Sequence, residues 1–255
     1  MNEKSSLFGL MIDRISLAEA LRRAERTLRS PALPSLAVFT PNLEMLDRAR
    51  KSGSEKRLLN SGDMLLPDGV GIALVARLLN ERLPERIAGI EFGESLIELA
   101  ARRGERVFLL GGERGVAQDA AKRLKARCPS LNVCGYHHGF IKSDRERRAL
   151  INLINDRRAS ILIVCMGYPG QERFVAQSRR ELPSVRIFAC LGGSLDVWSG
   201  QKMRAPLPLR LCRLEWLWRV CLEPKRLKRF VPSLATLGAA ARVKIKKERE
   251  ASSRS

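Results

Sequence analysis

The stretch "RVFLLGGERGVAQDAAKRLKAR" (residues 106–127) decides the fold. Its first part is a short, continuously apolar run, the pattern of a strand buried on both faces. Gly111 and Gly112 break the run. An amphipathic helix over 115–127 follows. The backbone N–H groups of such a glycine turn, with the helix N-terminus behind them, can hold a diphosphate. Yet there is no complete GxGxxG and no Walker Lys-Ser/Thr pair, so a plain strand-to-helix turn stays equally open.

The same unit repeats outward in both directions. Downstream, "LNVCGY" (131–136), "SILIVCMG" (160–167) and "VRIFACLGG" (185–193) read as strands, with helices at 144–157 and 171–182 between them. Upstream, residues 6–15 read as a short strand or hairpin, and Ser16 with Glu19 forms a capping-box pattern opening a helix over 17–29. "SLAVFT" (35–40) is a strand, "PNLEMLDRAR" begins a helix, and "DMLLPD" (63–68) is a short strand ending at Asp68. Residues 70–80 carry no charge before Arg77 and read as a buried helix, followed by another at about 93–103. Short apolar strands alternating with helices predict an α/β fold: a Rossmann-like, mostly parallel sheet covered by helices on both faces.

In such a sheet, ligands bind at the carboxyl ends of the strands. The residues there are Thr40 and Asn42, Asp68-Gly69, Gly111-Gly112, Gly167 through Gln171-Glu172, and Gly192-Gly193 followed by Asp196. Asp68 is either a general base that takes a proton from a sugar hydroxyl or a helix N-cap, and the two roles are compatible. Thr40 and Asn42 either bond a substrate hydroxyl or amide or cap the next helix. Gln171 can reach a sugar or a uracil edge, whereas Glu172 reads as a complement to the helix dipole. Asp196 either binds a ligand or caps the next turn, the cap being the preferred reading. His137 and His138 are adjacent, are expected to point apart, and make a poor metal pair.

The chain has 255 residues and a net charge of +20, with residues 201–255 carrying +11 of it. That balance points to a polyanionic partner: nucleic acid, an acidic membrane surface or a phosphorylated substrate. The alternation stops near Gly200. We therefore divide the chain into a core, 1–200, and a basic C-terminal appendage, 201–255. In "PLRLCRLEWLWRVCLEPKRLKRF" (208–230), tryptophans and leucines mix with Arg210, Arg213 and Arg219, then Lys225, Arg226, Lys228 and Arg229. This is the composition of a segment lying at a membrane interface. It is also that of a basic helix packed on its own domain by its Trp face. "ARVKIKKERE" (241–250) reads as a further basic helix with frayed last residues. The six cysteines form no CxxC pair and read as small buried side chains in a reduced cytosol. The N-terminus lacks a signal-peptide core, and no apolar run approaches the roughly 20 residues needed to span a bilayer.

"TPNLEML", "LLPDGVGIALVARLL", "LPERIAG", "VFLLGGERGVAQDAAKRL", "YHHGF", "GYPGQE", "GGSLDVWSG", "RAPLPLR" and "LEWLWRVCLEPKRLKRF" occur in that order. Together, over residues 8–230, they resemble the WecG/TagA/CpsF glycosyltransferases, family 26 of that class. The resemblance implies inverting transfer of a sugar from a UDP-sugar to a sugar on undecaprenyl diphosphate, in surface polysaccharide synthesis. The sugar is an N-acetylmannosamine type, its uronic acid or a hexose. It implies work at the cytoplasmic face of the plasma membrane, no cofactor and no catalytic metal. It also implies an appendage that closes over the site and touches an anionic membrane surface. By motif, Asp68 matches the base, Thr40 and Asn42 the polar pocket, and Gln171 the glutamine near the donor. Arg219, Arg226 and Arg229 match the arginines that stabilise diphosphate. Gly69, Gly111, Gly112, Gly192 and Gly193 join them as substrate-binding positions. Gly170 stands where many relatives have Lys, and the match fades beyond Phe230.

Two other classes compete. A nucleic-acid-binding protein would account for the charge, but the chain shows no RNP-type aromatic strand and no zinc finger. A dinucleotide-dependent oxidoreductase would be expected to carry the missing GxGxxG. A homo-oligomer is compatible with the sequence.

Overall fold

The computed structural model describes residues 3–206, 208–209, 215–222 and 227–252. The apolar runs become strands, and the capped amphipathic runs become helices. β1 (Lys4–Leu7) and β2 (Leu10–Asp13) form an antiparallel hairpin. α1 (Leu17–Arg29) starts on the Ser16–Glu19 capping box. Then come β3 (Leu36–Phe39), α2 (Leu43–Lys51), α3 (Gly53–Asn60), β4 (Met64–Leu65), α4 (Val70–Leu78) and α5 (Gly89–Arg103). The central stretch gives β5 (Arg106–Gly111) and α6 (Val116–Arg127), followed by β6 (Asn132–His137), α7 (Asp144–Asp156) and β7 (Ile161–Cys165). α8 (Gly170–Ser178), β8 (Ile187–Cys190) and α9 (Ser194–Trp198) complete the alternation. Two further helices are described, α10 (Glu215–Leu222) and α11 (Leu227–Ser252).

Six strands form one parallel sheet in the order β4-β3-β8-β7-β5-β6. Strand residues alternate between two cores. Val38, Leu109, Ile163 and Ala189 pack with α1, α5, α6 and α9. Phe39, Phe108, Val164 and Phe188 pack on the other face with residues of α2, α4, α7, α8 and the hairpin. Each fully buried Val, Leu, Ile or Phe among them contributes about 1.5–3 kcal/mol. α6 and α8 thus leave the adjacent strands β5 and β7 toward opposite faces. In open parallel sheets such a divergence marks the place where ligands bind, at the carboxyl ends of the strands.

Four sequence readings need correction. α3 and the five-residue α9 were not anticipated. α5 starts at Gly89 rather than near 93, because Gly89 and Gly93 let it press closely on the sheet. α4 buries only Ile72, Val75 and Ala76, and its Leu74 is exposed. The tail is not a separate helix: α11 runs unbroken through 26 residues, about 39 Å. The cysteine reading holds for buried Cys165 and Cys190, but Cys128 and Cys134 are half-buried and Cys221 is exposed; Cys212 lies outside the described residues.

α11 docks on the core through a polar latch. Thr236 donates to Asp47 Oδ1 on α2 at 2.7 Å, and Lys51 and Arg50 hold the same carboxylate at 2.5 and 3.2 Å. Ser233, Thr236 and Ala240 are buried beside it. Before α10, Arg204 pairs with Glu94 and Glu91 of α5 at 2.9 and 3.3 Å, tying the chain after Gly200 to the core. No helix among the described residues is long and apolar enough to cross a membrane.

Candidate active site

Asp68 lies three residues past β4, an edge strand of only two residues that needs outside support. Asp13, itself fully buried, accepts the Leu65 N–H at 2.9 Å. Asp63 accepts the Ala37 N–H at 2.7 Å. Past the strand the pairing continues irregularly: Leu66 N–H donates to the Phe39 carbonyl at 2.8 Å and Asp68 N–H to the Pro41 carbonyl at 3.0 Å. Ile87 N–H closes on the Pro67 carbonyl at 2.9 Å. The backbone of Asp68 is therefore pinned between the end of β3 and the approach to α5. Gly69, not Asp68, is the N-cap of α4. Asp68 is partly exposed, and a side chain added at Gly69 would point into open space. A sugar hydroxyl has room to approach there.

Thr40 is buried, and its hydroxyl donates to the Cys190 carbonyl at 3.0 Å, joining β3 to β8. Gly89 packs against it: a Cβ there would come within 3.0 Å of Thr40 Oγ1. Asn42 takes the capping role, accepting the Met45 N–H at 3.1 Å. It is exposed.

The Gly111-Gly112 turn serves the fold first. Gly111 has φ +135°, and a Cβ there would lie 2.2 Å from the Cys165 carbonyl, so only glycine fits. Gly112 N–H donates to that carbonyl at 3.1 Å, and its own carbonyl accepts from Gly139 at 3.1 Å. The donor of Gly112 is thus engaged by β7 in this structure.

Gln171 is also engaged at both ends. Its Oε1 accepts the Gly192 N–H at 3.0 Å and its Nε2 donates to Glu172 Oε1 at 2.8 Å. It bridges the turn after β7 to the turn after β8. Gly192 has φ +58° with open space around it, and Gly193 is the N-cap of α9.

Glu172 departs from the dipole-partner expectation. Its side chain is fully buried, and Oε2 has no hydrogen-bond partner among the described residues. Burial pushes its carboxyl up to about 7, Glu55 adds to the rise, and the Gln171 bond and Arg48 oppose it. Beside it, Arg48 pairs with Glu55 at 2.7 Å and lies over the Tyr168 ring at 4.7 Å, while the Tyr168 hydroxyl donates to Glu55. Burial and Glu55 raise the Tyr168 phenol. The sequence did carry a signal for this cluster. Ser52 with Glu55 three residues later is a capping pattern, and Ser52 does cap α3.

Two expectations fail. Asp196 lies inside the first turn of α9, pairing with Lys202 at 3.0 Å, while Gly193 takes the cap. The rings of His137 and His138 do not point apart; their centroids are 4.2 Å from each other. Among the described residues, no group of three or more His, Cys, Asp or Glu side chains is placed to hold a metal. Of the expected arginines, Arg219 lies on α10 and Arg229 on α11, and Arg226 lies outside the described residues.

Thr40, Asn42, Asp68-Gly69, Gly111-Gly112, Gln171 and Gly192-Gly193 therefore share one edge of the sheet. The model of the glycosyl transferase WecG/TagA/CpsF family matches residues 5–250. The chain is 32% identical over 194 residues to an N-acetylglucosaminyldiphosphoundecaprenol N-acetyl-beta-D-mannosaminyltransferase of Bacillus subtilis, covering 76% of this chain and 74% of that protein. It is 28% identical over 246 residues to a protein of the same name from Staphylococcus aureus, covering 96% of this chain and 95% of the other.

Proposed function

Because the chain belongs to the WecG/TagA/CpsF glycosyltransferase family, we propose that it moves an N-acetylmannosamine-type sugar from a UDP-sugar to N-acetylglucosamine carried on a polyprenyl diphosphate. The support is the name shared by its relatives, with the pinned position of Asp68 carrying the chemistry. In a single displacement, the acceptor hydroxyl oxygen attacks the anomeric carbon. The bond from that carbon to the UDP oxygen breaks, and configuration inverts. The acceptor's proton passes to the Asp68 carboxylate, and UDP leaves with the bonding electron pair. A base held to a rigid strand end, with open space beside Gly69, suits that transfer.

The leaving diphosphate gains negative charge that a cation must balance. Arginine, with its paired N–H donors, is suited to it, and Arg219, Arg226 and Arg229 take that role in this reading. The C-terminal appendage would bring them to the site when it closes. Exposed Trp216, Leu217 and Leu222 on α10, with Leu227, Val231 and Leu234 on α11, lie among basic residues. That favours contact with an anionic membrane surface, where the lipid-linked acceptor resides.

The test is acceptor-dependent UDP release by Asp68→Asn. Turnover should fall by roughly 10²–10⁴ with thermal unfolding unchanged. Undiminished turnover removes Asp68 from the role of base.

A further inference from the structure

Glu172 is the one residue of the sheet's carboxyl edge whose burial the reaction above leaves unexplained. A carboxyl side chain sits fully buried with an unpartnered oxygen, a costly arrangement that a hydrophobic residue would avoid. The hydrogen bonds around it run one way. The Gly192 N–H can only donate, so the Gln171 oxygen must face it. That places the Gln171 NH2 group against Glu172, where only an acceptor can meet it. Glu172 Oε1 and the Gly192 N–H thus hold the Gln171 amide the same way round, one from each end. The amide in turn holds the positive-φ turn at Gly192-Gly193 between β8 and α9.

We propose that Glu172 is a positioning residue: through Gln171 it sets the Gly192-Gly193 turn that borders the donor site. The proposal rests on the reading of this edge as a glycosyl-transfer site. It assigns Gln171 and Glu172 to one relay rather than giving Gln171 a separate contact with the donor. The groups bearing on Glu172 come from four directions: Arg48 of α2, Glu55 of α3, Tyr168 before α8 and Cys190 of β8. Arg48 is paired with Glu55, so its charge is largely balanced before it reaches Glu172.

Two substitutions separate a relay from a filler of space. Glu172→Gln keeps an oxygen for the Gln171 NH2 group and should retain kcat within about threefold. Glu172→Leu keeps the bulk but offers no acceptor. Its kcat should fall by roughly 10–100-fold, the scale expected when a site is displaced by about 1 Å. With an active wild type, the reverse order, or equal activity in both variants, overturns the proposal.

A second readout needs no substrate and survives a misfolded leucine variant. The backbone amide resonance of Gly192 should shift with pH in the wild type, following ionisation of Glu172, and should stay flat in Glu172→Gln. A Gly192 resonance that behaves identically in both proteins overturns the relay. If the wild type transfers no sugar but the Gly192 resonance titrates as described, the glycosyl-transfer reading fails and the relay stands.

Discussion

The carboxyl of Glu172 holds its proton in the fold at pH values where the unfolded chain has released it. Burial raises it from 4.5 to about 7, and the sign of the linkage follows. Between these values the native state binds the extra proton, so stability is full below about 4.5 and is lost as pH rises through about 7. The loss is on the order of 3 kcal/mol. Urea unfolding from pH 4.5 to 8 should show this decline in the wild type and a flatter profile for Glu172→Gln, which should be the more stable protein at pH 8. Parallel profiles would mean that Glu172 is not a buried acid. None of this was legible in the sequence. A glutamate near a helix N-terminus has a sufficient surface role, and its burial here is a product of tertiary packing at the β7–α8 turn. Asp68 was legible, because an acid after a short apolar run and before a glycine lands at the same sheet edge whatever the packing.

Among the elements, legibility followed length and period. β5, α6, α7 and β7 lie within a residue or two of where the apolar pattern puts them, since strand runs and amphipathic helices each repeat inside a single segment. α9 is five residues long, too short for a helical period to register. α4 looked buried because apolar residues fill nearly its whole circumference, yet only one stripe reaches the core. The docking of α11 was invisible, as Thr236 and Asp47 are separated by 189 residues. Burial alone would raise the Asp47 carboxyl, but the bonds from Lys51, Thr236 and Arg50 bring it below its ordinary value. The latch is therefore strongest above that ordinary carboxylate range and weakens as acid protonates Asp47. Thr236→Val removes a donor to a charged, buried acceptor and should cost about 1.5–3 kcal/mol. Faster amide exchange around residues 233–240 should accompany it. Unchanged stability together with unchanged exchange would mean that the latch does not hold α11.

At the scale of the whole molecule, the parallel sheet places glycine turns and one pinned acid on a single edge, and the basic excess lies toward the end of the chain. The sheet follows from the alternation of short apolar runs with helices. The charge of +20 announced a polyanionic partner but not which one, because charge carries no shape. Family membership makes the chain a glycosyltransferase; the diphosphates of donor and acceptor and an anionic membrane surface would each meet the description. The most direct measurement is UDP release by the purified protein with a panel of UDP-sugars and a short-chain polyprenyl-diphosphate N-acetylglucosamine. The account predicts release that depends on the acceptor and favours the N-acetylmannosamine donor. Release that ignores the acceptor, or none with any donor, would contradict it.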